Sequence, residues 1–246
     1  MDRLIYTAMT GAKHILEQQA TTSHNLANAT TTGFRAQLDS FRAVPVVSEG
    51  LQTRAFVVDA TVGTNFAAGT IHQTGNGLDV AVHGKGWFAV QLEDGTEAYT
   101  RAGNFKLTEN GVLQTQSGIT VMGDGGPISV PPDIVVSIAK DGTVSGSSTI
   151  TTPSIVSALG KLKLVNPPET DLVRGDDGLF RAKDGNPFDS DDTVTVVGGA
   201  VEGSNVNVAE AMVNMITLAR HFEMHMNLLK NAESNAAKAS QILSLG

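Results

Sequence analysis

The residues best suited to chemistry are two histidines near the C-terminal end, His221 and His225. They are four residues apart, so a helix places both imidazoles on one face, where they can bind a metal ion. The segment HFEMH does not put a glutamate next to the first histidine, as a zinc protease requires. A third ligand is not evident either. We therefore expect no metal site, and a solvated or interface-facing histidine pair instead.

A run of aspartates between residues 176 and 192 is a second candidate, since carboxylates are ligands that Ca²⁺ prefers. The run lacks the glycine and the closing glutamate of a calcium-binding loop, so solvated turns explain it better. The segment HGKGW at residues 83–87 has neither the serine or threonine nor the helix that follows a phosphate-binding loop. Because a G-x-S-x-G elbow is also missing, we expect no catalytic residue, no cofactor and no enzymatic activity.

Composition excludes several further classes of protein. Lys and Arg number 17 and Asp and Glu number 25, which gives a net charge of −8 without a basic cluster. Nucleic acid is therefore not expected as a partner. The absence of cysteine excludes disulfides and thiol chemistry. No run of about 18 apolar residues is present, so we expect no direct membrane insertion, and the N-terminus lacks the apolar core of a cleaved secretory signal.

The order of composition along the chain predicts an α+β fold in four parts. Residues 1–33 contain no proline, and Gly11 is their only glycine before the last position, Gly33, which favours an N-terminal helix. Residues 34–74 have scattered apolar positions and are interpreted as an extended connector with room for one hairpin. Residues 75–203 are rich in Gly, Asp, Val and Thr, as expected of a β domain. Residues 204–246 return to a helical composition and predict a C-terminal helix.

Turn signals divide the central region into short strands. Asp-Gly and Asn-Gly pairs supply the positive φ that tight hairpin turns need, and they begin at residues 76, 94, 110, 124, 141, 177 and 184. Runs of β-prone residues lie between these pairs, without helix-length segments among them. The pattern therefore argues against parallel βαβ units, and we expect a mainly antiparallel domain.

The C-terminal segment has the strongest periodic pattern. Asn207 followed by Glu210 matches a helix-capping pattern, so the helix is expected to begin there. Apolar residues then recur in alternating steps of four and three, the spacing of a coiled coil. The positions on this stripe are Val208, Met212, Met215, Ala219, Phe222, Met226, Leu229, Glu233, Ala236, Ser240 and Leu243.

The N-terminal segment carries a thinner stripe with the same steps, formed by Ile5, Ala8, Ala12, Ile15, Gln19, Thr22 and Leu26. We expect the two segments to pack as a coiled-coil-like pair. Because the N-terminal side chains are small, part of the C-terminal apolar surface stays uncovered and favours association with other molecules. The residues expected at the assembly interface are Ile5, Ile15, Leu26, Met212, Met215, Phe222, Met226 and Leu229.

Four stretches of the sequence resemble the axial proteins of the bacterial flagellum, the family of rod, hook and hook-associated proteins. They are NLANATTTGFR at residues 25–35, TGNGLDVAVHGKGWF at 74–88, YTRAGNFKLTENGVLQT at 99–115 and EGSNVNVAEAMVNMITLARHFEMH at 202–225. Their order and spacing also match the family. The motif residues that carry the resemblance are Asn25, Asn28, Gly33, Phe34, Gly75, Asn76, Asp79, Gly84, Gly86, Gly103, Asn104, Phe105, Asn205 and Asn207.

The start MDRLIYTAMTGA and the chain length are most similar to the F-type proximal rod subunits of this family. The resemblance implies a structural subunit of the basal-body rod, which polymerises head-to-tail into a drive shaft that transmits torque across the periplasm. It also implies that the terminal helices form an inner coiled-coil layer. The implied partners are other rod proteins, further copies of the chain and the flagellar type III export apparatus.

Three other interpretations stay open at this point. The chain is also similar to distal rod and hook-type subunits. A secreted adhesin on a helical stalk would use the same helices, and it would form a discrete oligomer instead of joining a rod. A hydrolase on a β scaffold would need a pocket of convergent polar groups with perturbed pKa values, for which the sequence offers no pattern.

Overall fold

The computed structural model describes residues 2–45, 55–132, 134–148 and 156–244. Within these residues the chain forms two long helices, one short 3₁₀ helix and eighteen strands, which divide into two compact units. The helical unit consists of Met1–Ala29, Ala36–Asn65 and Val206–Gly246, and the β unit consists of Thr30–Arg35 and Phe66–Asn205. Because the sheets are mainly antiparallel and a helix lies near each end of the chain, the predicted α+β class is confirmed.

The helical unit contains both helices and one hairpin. Helix α1 spans Asp2–Ala27 and helix α2 spans Val208–Ser244. The hairpin consists of β1, Gln37–Pro45, and β2, Ala55–Thr64, which pair antiparallel. Both strands contact α1. The segment interpreted from the sequence as a connector therefore contributes an ordered hairpin to the packing of α1.

Local hydrogen bonds set the ends of the two helices. The Oδ1 atom of Asn207 accepts bonds from the backbone N–H groups two and three residues ahead, at 3.1 and 3.3 Å, so Asn207 is the N-cap of α2. Helix α1 ends at Ala27, before the predicted stop at Gly33. The Nδ2 atom of Asn28 donates to the carbonyl of His24 at 2.9 Å, and the same carbonyl accepts the backbone N–H of Asn28 at 3.2 Å, so Asn28 closes the last turn.

The β unit is built from short strands. In chain order they are β3 (Ile71–Gln73), β4 (Val80–His83), β5 (Trp87–Gln91), β6 (Glu97–Thr100), β7 (Phe105–Leu107), β8 (Leu113–Thr115), β9 (Thr120–Gly123), β10 (Gly126–Pro127), β11 (Ile134–Ile138), β12 (Thr143–Ser148), β13 (Val156–Lys161), β14 (Leu164–Val165), β15 (Leu172–Arg174), β16 (Phe180–Ala182), β17 (Thr195–Gly198) and β18 (Ala200–Glu202). The 3₁₀ helix Glu169–Asp171 precedes β15.

The strand pairs in the described part of the chain are antiparallel, as predicted for the central domain. The main sheet has the order β15-β16-β6-β5-β9-β8-β7, with β10 beside β9 and β14 beside β5. The smaller sheets of the β unit are β11-β12-β13, β17-β4 and β18-β3. The last of these pairs the final strand of the unit with its first strand, so the segments that begin and end the unit lie side by side.

The main sheet is apolar on both faces. In β5, Phe88 and Val90 belong to one cluster of buried side chains, whereas Trp87 and Ala89 belong to a second. Successive side chains of a strand lie on opposite faces of the sheet. A strand that is covered on both faces must therefore be apolar throughout, which explains the continuous run WFAV in place of an alternating pattern.

Aspartates hold the predicted turns by accepting hydrogen bonds from nearby threonines. The Oδ1 atom of Asp94 accepts from the hydroxyl and backbone N–H of Thr96, at 2.6 and 2.8 Å. Asp141 accepts from Thr143 through both carboxylate oxygens, from the backbone N–H on Oδ1 at 3.1 Å and from the hydroxyl on Oδ2 at 2.8 Å. These hydrogen bonds lower the pKa of both aspartates. The carboxylates are therefore ionised at neutral pH and stabilise the turns locally.

Candidate assembly surfaces and a buried charge cluster

One face of α2 packs against α1. Apart from Ala219, the buried and half-buried side chains described in α2 are Ala211, Met215, Leu218, Phe222, His225, Leu229 and Ala232. We call these seven residues the seam. They follow alternating steps of four and three. A Cβ atom on Gly11 would lie 2.6 Å from Cε1 of His225, so the seam faces α1.

The two helices run antiparallel. Gly11 lies opposite His225, and both helices rise by the same distance per residue, so an antiparallel α1 covers α2 from about residue 209 to about residue 234. The first and last buried residues of α2, Ala211 and Ala232, agree with these limits. A parallel α1 would not reach Ala211.

The seam and the stripe predicted for α2 have different phases. They share Met215, Phe222 and Leu229, which are half-buried. Met212 and Met226 are 50% and 38% exposed and lie outside the seam. The remaining seam positions include Leu218 and His225, which were not on the predicted stripe. Two further stripe positions have side chains outside the described residues, namely Ser240 and Leu243.

The predicted interface positions of α1 are at least partly covered. Ile15 is buried, and Ile5 and Leu26 are half-buried. Two alanines of the same stripe, Ala8 and Ala12, are also buried. Small residues at these positions allow the helices to approach closely, as the contact between Gly11 and His225 requires.

A second apolar surface lies on the first third of α2. Met212, Val213 and Ile216 are 50%, 62% and 57% exposed, and we call these three residues the outer patch. At roughly 100° per residue, the patch lies about 150° around the helix from the seam. The first twelve residues of α2 carry one charged side chain, Glu210. An exposed apolar surface without interspersed charges is typical of a contact with another molecule.

The contact between Gly11 and His225 gives a first prediction. Gly11→Ala should destabilise the helix pair in the parent chain, because overpacking costs about 1–3 kcal/mol. In a His225→Ala background the same change should stabilise it by about 1 kcal/mol, because alanine favours the helix and the imidazole is gone. Urea unfolding followed by helical circular dichroism of the four variants measures both effects. An equal effect in the two backgrounds would show that the side chains do not touch.

A charged cluster is buried in the β unit, although no sequence pattern marks its residues. Oε1 of the Glu202 carboxylate, which is 1% exposed, lies 2.7 Å from Nη2 of Arg35, and Oε2 lies 3.0 Å from Nη1 of Arg101. The backbone N–H of Gly69 donates to Oε1 at 2.9 Å. The Glu202 carbonyl accepts from the N–H of Gly33 at 2.8 Å. Glu202 therefore joins its own segment to three others that are distant in sequence, at residues 33–35, 69 and 101.

The contact between Arg35 and Glu202 is an ion pair by its distance. None of the three guanidinium nitrogens of Arg35 meets hydrogen-bond geometry toward an acceptor among the described residues. We treat the contact as an ion pair because 2.7 Å is the separation of directly paired charges. Arg35 and Arg101 together leave one excess positive charge in the cluster. Both guanidinium groups face the ring of Trp87, at 5.9 and 5.4 Å, which partly compensates that charge.

Arg101 is anchored more fully than Arg35. Its Nη2 atom donates to the carbonyl of Gly84 at 2.6 Å, and Nη1 donates to the carbonyl of Val82 at 3.4 Å. Burial lowers the pKa of Arg101 to about 10, while the nearby Glu202 carboxylate opposes this change. Arg101 is therefore charged at neutral pH, and the cluster keeps its charges.

Several motif residues from distant stretches meet in the β unit. Asp79 forms a β-bridge with Asn104, and the Oδ1 atom of Asn104 accepts from the hydroxyl of Thr32 at 2.9 Å. Asp79 also accepts from the hydroxyl of Thr74 at 2.6 Å and from Nδ2 of Asn76 at 3.2 Å. The first three stretches of the resemblance therefore converge on one set of hydrogen bonds.

Two motif glycines are required by close backbone approach. Gly103 has no room for a side chain, since a Cβ atom there would lie 1.6 Å from the carbonyl oxygen of Val80. Gly33 has a φ of +68°, and a Cβ atom would lie 2.3 Å from the backbone nitrogen of Ala102. The fold itself therefore requires glycine at these two motif positions.

The remaining motif residues act locally within their own units. Asn25 exchanges two hydrogen bonds with the backbone of Gln37, at 2.8 and 2.9 Å, and joins α1 to β1. Asn205 donates to the carbonyl of Ala67 at 2.9 Å. Phe34 packs below the Arg174 guanidinium, whose carbon lies 4.8 Å from the ring centroid. The other members are a buried ring and three glycines with positive φ, namely Phe105, Gly75, Gly84 and Gly86.

The described residues offer little for catalysis or metal binding. They contain no group of three or more His, Asp or Glu side chains that could hold a metal ion. A shallow depression of about 590 Å³ is lined partly by Glu93, Asp94 and Asp177. Asp177 is held by the Arg181 guanidinium, which lowers its pKa, so it is not placed to accept a proton near neutral pH. In the same residues, no helix combines the length and apolarity needed to cross a membrane.

Three family profiles match the chain in the order expected from the resemblance. Residues 5–35 match the flagella basal body rod protein family, and residues 81–146 match the D1 domain of the flagellar hook proteins FlgE, FlgF and FlgG. Residues 197–242 match the C-terminal region of the flagellar basal body rod proteins FlgE, FlgF and FlgG. These matches contain Arg35, Arg101 and Glu202, the charged cluster of the β unit.

Comparison with individual proteins agrees with the profiles. The chain is 45% identical to the flagellar basal-body rod protein FlgF of Escherichia coli (strain K12) and 44% identical to that of Salmonella typhimurium (strain LT2), in each case over the full length of both chains. It is 32% identical to the rod protein FlgG of Buchnera aphidicola subsp. Schizaphis graminum, over 89% of this chain and 92% of that protein. The chain therefore belongs to the family of flagellar basal-body rod proteins, as a structural subunit of the basal body and not an enzyme.

Proposed function

We propose that this chain is a proximal rod subunit that joins neighbouring rod subunits and further copies of itself head-to-tail. The observation that carries the proposal is the presence of two apolar surfaces on α2. The seam is covered by α1, whereas the outer patch stays exposed in the single chain. A helix that is apolar on two faces needs a second partner.

In the proposed rod the two helices form the inner layer as a coiled-coil pair. The steps of four and three along the seam support this arrangement, because they keep one face of α2 against its partner. Head-to-tail contacts that do not close into a ring generate a helical assembly. Such an assembly is suited to transmit torque across the periplasm.

The proximal position is supported by the pattern of similarity. The FlgF proteins of Escherichia coli and Salmonella typhimurium are 45% and 44% identical over the full length of this chain. Within Buchnera aphidicola subsp. Schizaphis graminum the identities are alike, 30% for FlgF and 32% for FlgG, but FlgF aligns over 100% of this chain and FlgG over 89%. The stalked adhesin has no support among these relatives. The flagellar type III apparatus as the export route is part of the proposal, and it rests on family membership.

The proposal is tested by locating the protein in purified basal bodies. A tagged chain should complement a strain that lacks its gene, and labelled electron microscopy should place the tag on the rod near its membrane-proximal end. Label on the hook side would favour a distal or hook-type subunit. A motile deletion strain, or a tag absent from basal bodies, would contradict the proposal.

A further inference from the structure

We infer that the charged cluster of the β unit binds one small monovalent anion, a halide such as chloride, beside the guanidinium group of Arg35. The cluster consists of Arg35, Arg101 and Glu202, and both arginines face the ring of Trp87. Two features point to this ligand, namely the unused hydrogen-bond donors of Arg35 and the unequal numbers of positive and negative charges. The site is independent of the assembly contacts proposed above.

Arg35 is a buried donor without an acceptor. Its side chain is 1% exposed, and a guanidinium group carries five N–H groups. None of its nitrogens, Nε, Nη1 and Nη2, has a hydrogen-bond partner among the described residues. Buried N–H groups are nearly always paired, because an unpaired one has lost its hydrogen bonds to water without replacement. Arg35 therefore needs an acceptor that the described residues do not supply.

The carboxylate of Glu202 does not fill this role, although it lies 2.7 Å from Nη2 of Arg35. Its Oε1 atom accepts from the backbone N–H of Gly69 at 2.9 Å, and its Oε2 atom accepts from Nη1 of Arg101 at 3.0 Å. These two donors fix the orientation of the carboxylate. Arg35 is attracted by the negative charge, but its N–H groups do not point at the carboxylate oxygens.

The balance of charges favours an anion over a water molecule as the acceptor. Arg35 and Arg101 share one carboxylate, and no other Asp or Glu among the described residues forms an ion pair with either of them. The ring of Trp87 offsets the remaining positive charge only in part, because a ring face attracts a cation less strongly than an anion does. Water can accept the N–H groups but brings no charge. A monovalent anion supplies both the acceptor and the missing charge.

Burial limits the size of the ligand. Arg35 and Glu202 are each 1% exposed, and Arg101 is 5% exposed. A carboxylate side chain of another protein, or a phosphate group on a larger molecule, would have to reach the cluster through an opening to solvent, which so little exposed surface does not provide. A single halide ion can be enclosed completely, and it accepts hydrogen bonds from any direction.

Quenching of tryptophan fluorescence by bromide tests the inference on the full chain. Trp87 is the single tryptophan and is 5% exposed, so collisions with dissolved bromide should quench it weakly and in proportion to the bromide concentration. The proposed site would instead hold bromide near the ring, since the guanidinium carbon of Arg35 lies 5.9 Å from the ring centroid. Sodium bromide replaces sodium gluconate at constant ionic strength. We expect quenching that saturates and that added chloride reverses.

Two variants connect the quenching to Arg35. Arg35→Met should remove the saturating part, because it removes both the charge and the donors. Arg181→Met removes the same charge from β16, where the side chain is 37% exposed, and it should leave the saturating part unchanged. Purely proportional quenching of the parent chain would overturn the inference, since water alone would then accept the N–H groups. Saturation that survives in Arg35→Met would also overturn it, because bromide would then be bound at another place.

A measurement on the parent chain alone keeps the test valid if Arg35→Met does not fold. A ligand that binds only the folded state stabilises it in proportion to the logarithm of its concentration above the dissociation constant. The urea concentration at the midpoint of unfolding, followed by circular dichroism, should therefore rise as chloride replaces gluconate at constant ionic strength. An identical midpoint in the two salts would contradict the anion site.

Discussion

Aspartate in place of Ile216 is expected to exclude the chain from the rod and to abolish motility, while the purified chain keeps its stability. Ile216 is 57% exposed in the single chain, and surface changes of this kind alter the free energy of unfolding by about 0.5 kcal/mol or less. In an assembled contact the same carboxylate would be buried without a partner, which costs several kcal/mol. Rod content of basal bodies and urea unfolding of the purified chain measure the two effects separately.

Two matched variants make this result specific. Val135→Asp introduces the same charge at a residue of similar exposure, 59%, on β11 of the β unit, and it should leave rod content unchanged. Phe222→Asp places the charge in the seam, so it should destabilise the helix pair of the purified chain by about 3 kcal/mol or more. Normal rod content with Ile216→Asp, or an equal loss of rod content with Val135→Asp, would show that the outer patch is not an assembly contact.

Glutamine in place of Glu202 is expected to destabilise the β unit by about 3–5 kcal/mol, because it leaves two buried guanidinium groups without a counter-charge. The substitution keeps the shape of the side chain and an oxygen that can accept from the N–H of Gly69. The decrease in the free energy of unfolding therefore measures the contribution of the ion pairs to Arg35 and Arg101, whose distances are 2.7 and 3.0 Å. Denaturant unfolding measures this decrease. The transition is followed by the fluorescence of Trp87, which is the single tryptophan and a neighbour of both arginines.

The matched control for this prediction is Glu93→Gln, the same chemical change at an exposed position of the β unit. It should change the free energy of unfolding by less than about 0.5 kcal/mol. A loss below about 1 kcal/mol for Glu202→Gln would mean that the cluster is open to water, since exposed ion pairs contribute little.

The ends of the helices and the turns of the β unit follow from local signals in the sequence. Asn207 accepts from the first N–H groups of α2 because an amide at the N-cap position can reach them. Asp94 and Asp141 hold turns through threonines two residues ahead. Each of these interactions closes within a few residues, so residue type and spacing are sufficient to predict it.

The face of α2 that meets α1 was decided by the tertiary structure. The first third of α2 is apolar on two sides, and the stripe through Met212 and Met226 satisfies the spacing of a coiled coil as well as the seam does. Periodicity alone cannot choose between two apolar stripes. The choice depends on α1, where Gly11 leaves space for the imidazole of His225, a polar residue that a hydrophobic pattern does not select.

The sequence by itself therefore determined the α+β class, both long helices, the turns between antiparallel strands and the family. Only the tertiary structure decided the phase of the helix pair and the cluster of Glu202 with Arg35 and Arg101. The physical reason is the range of the interactions. Caps and turns act between neighbours in the chain, whereas the cluster joins residues that only the folded sheets bring together, and its charges are indistinguishable in sequence from those of a solvated surface.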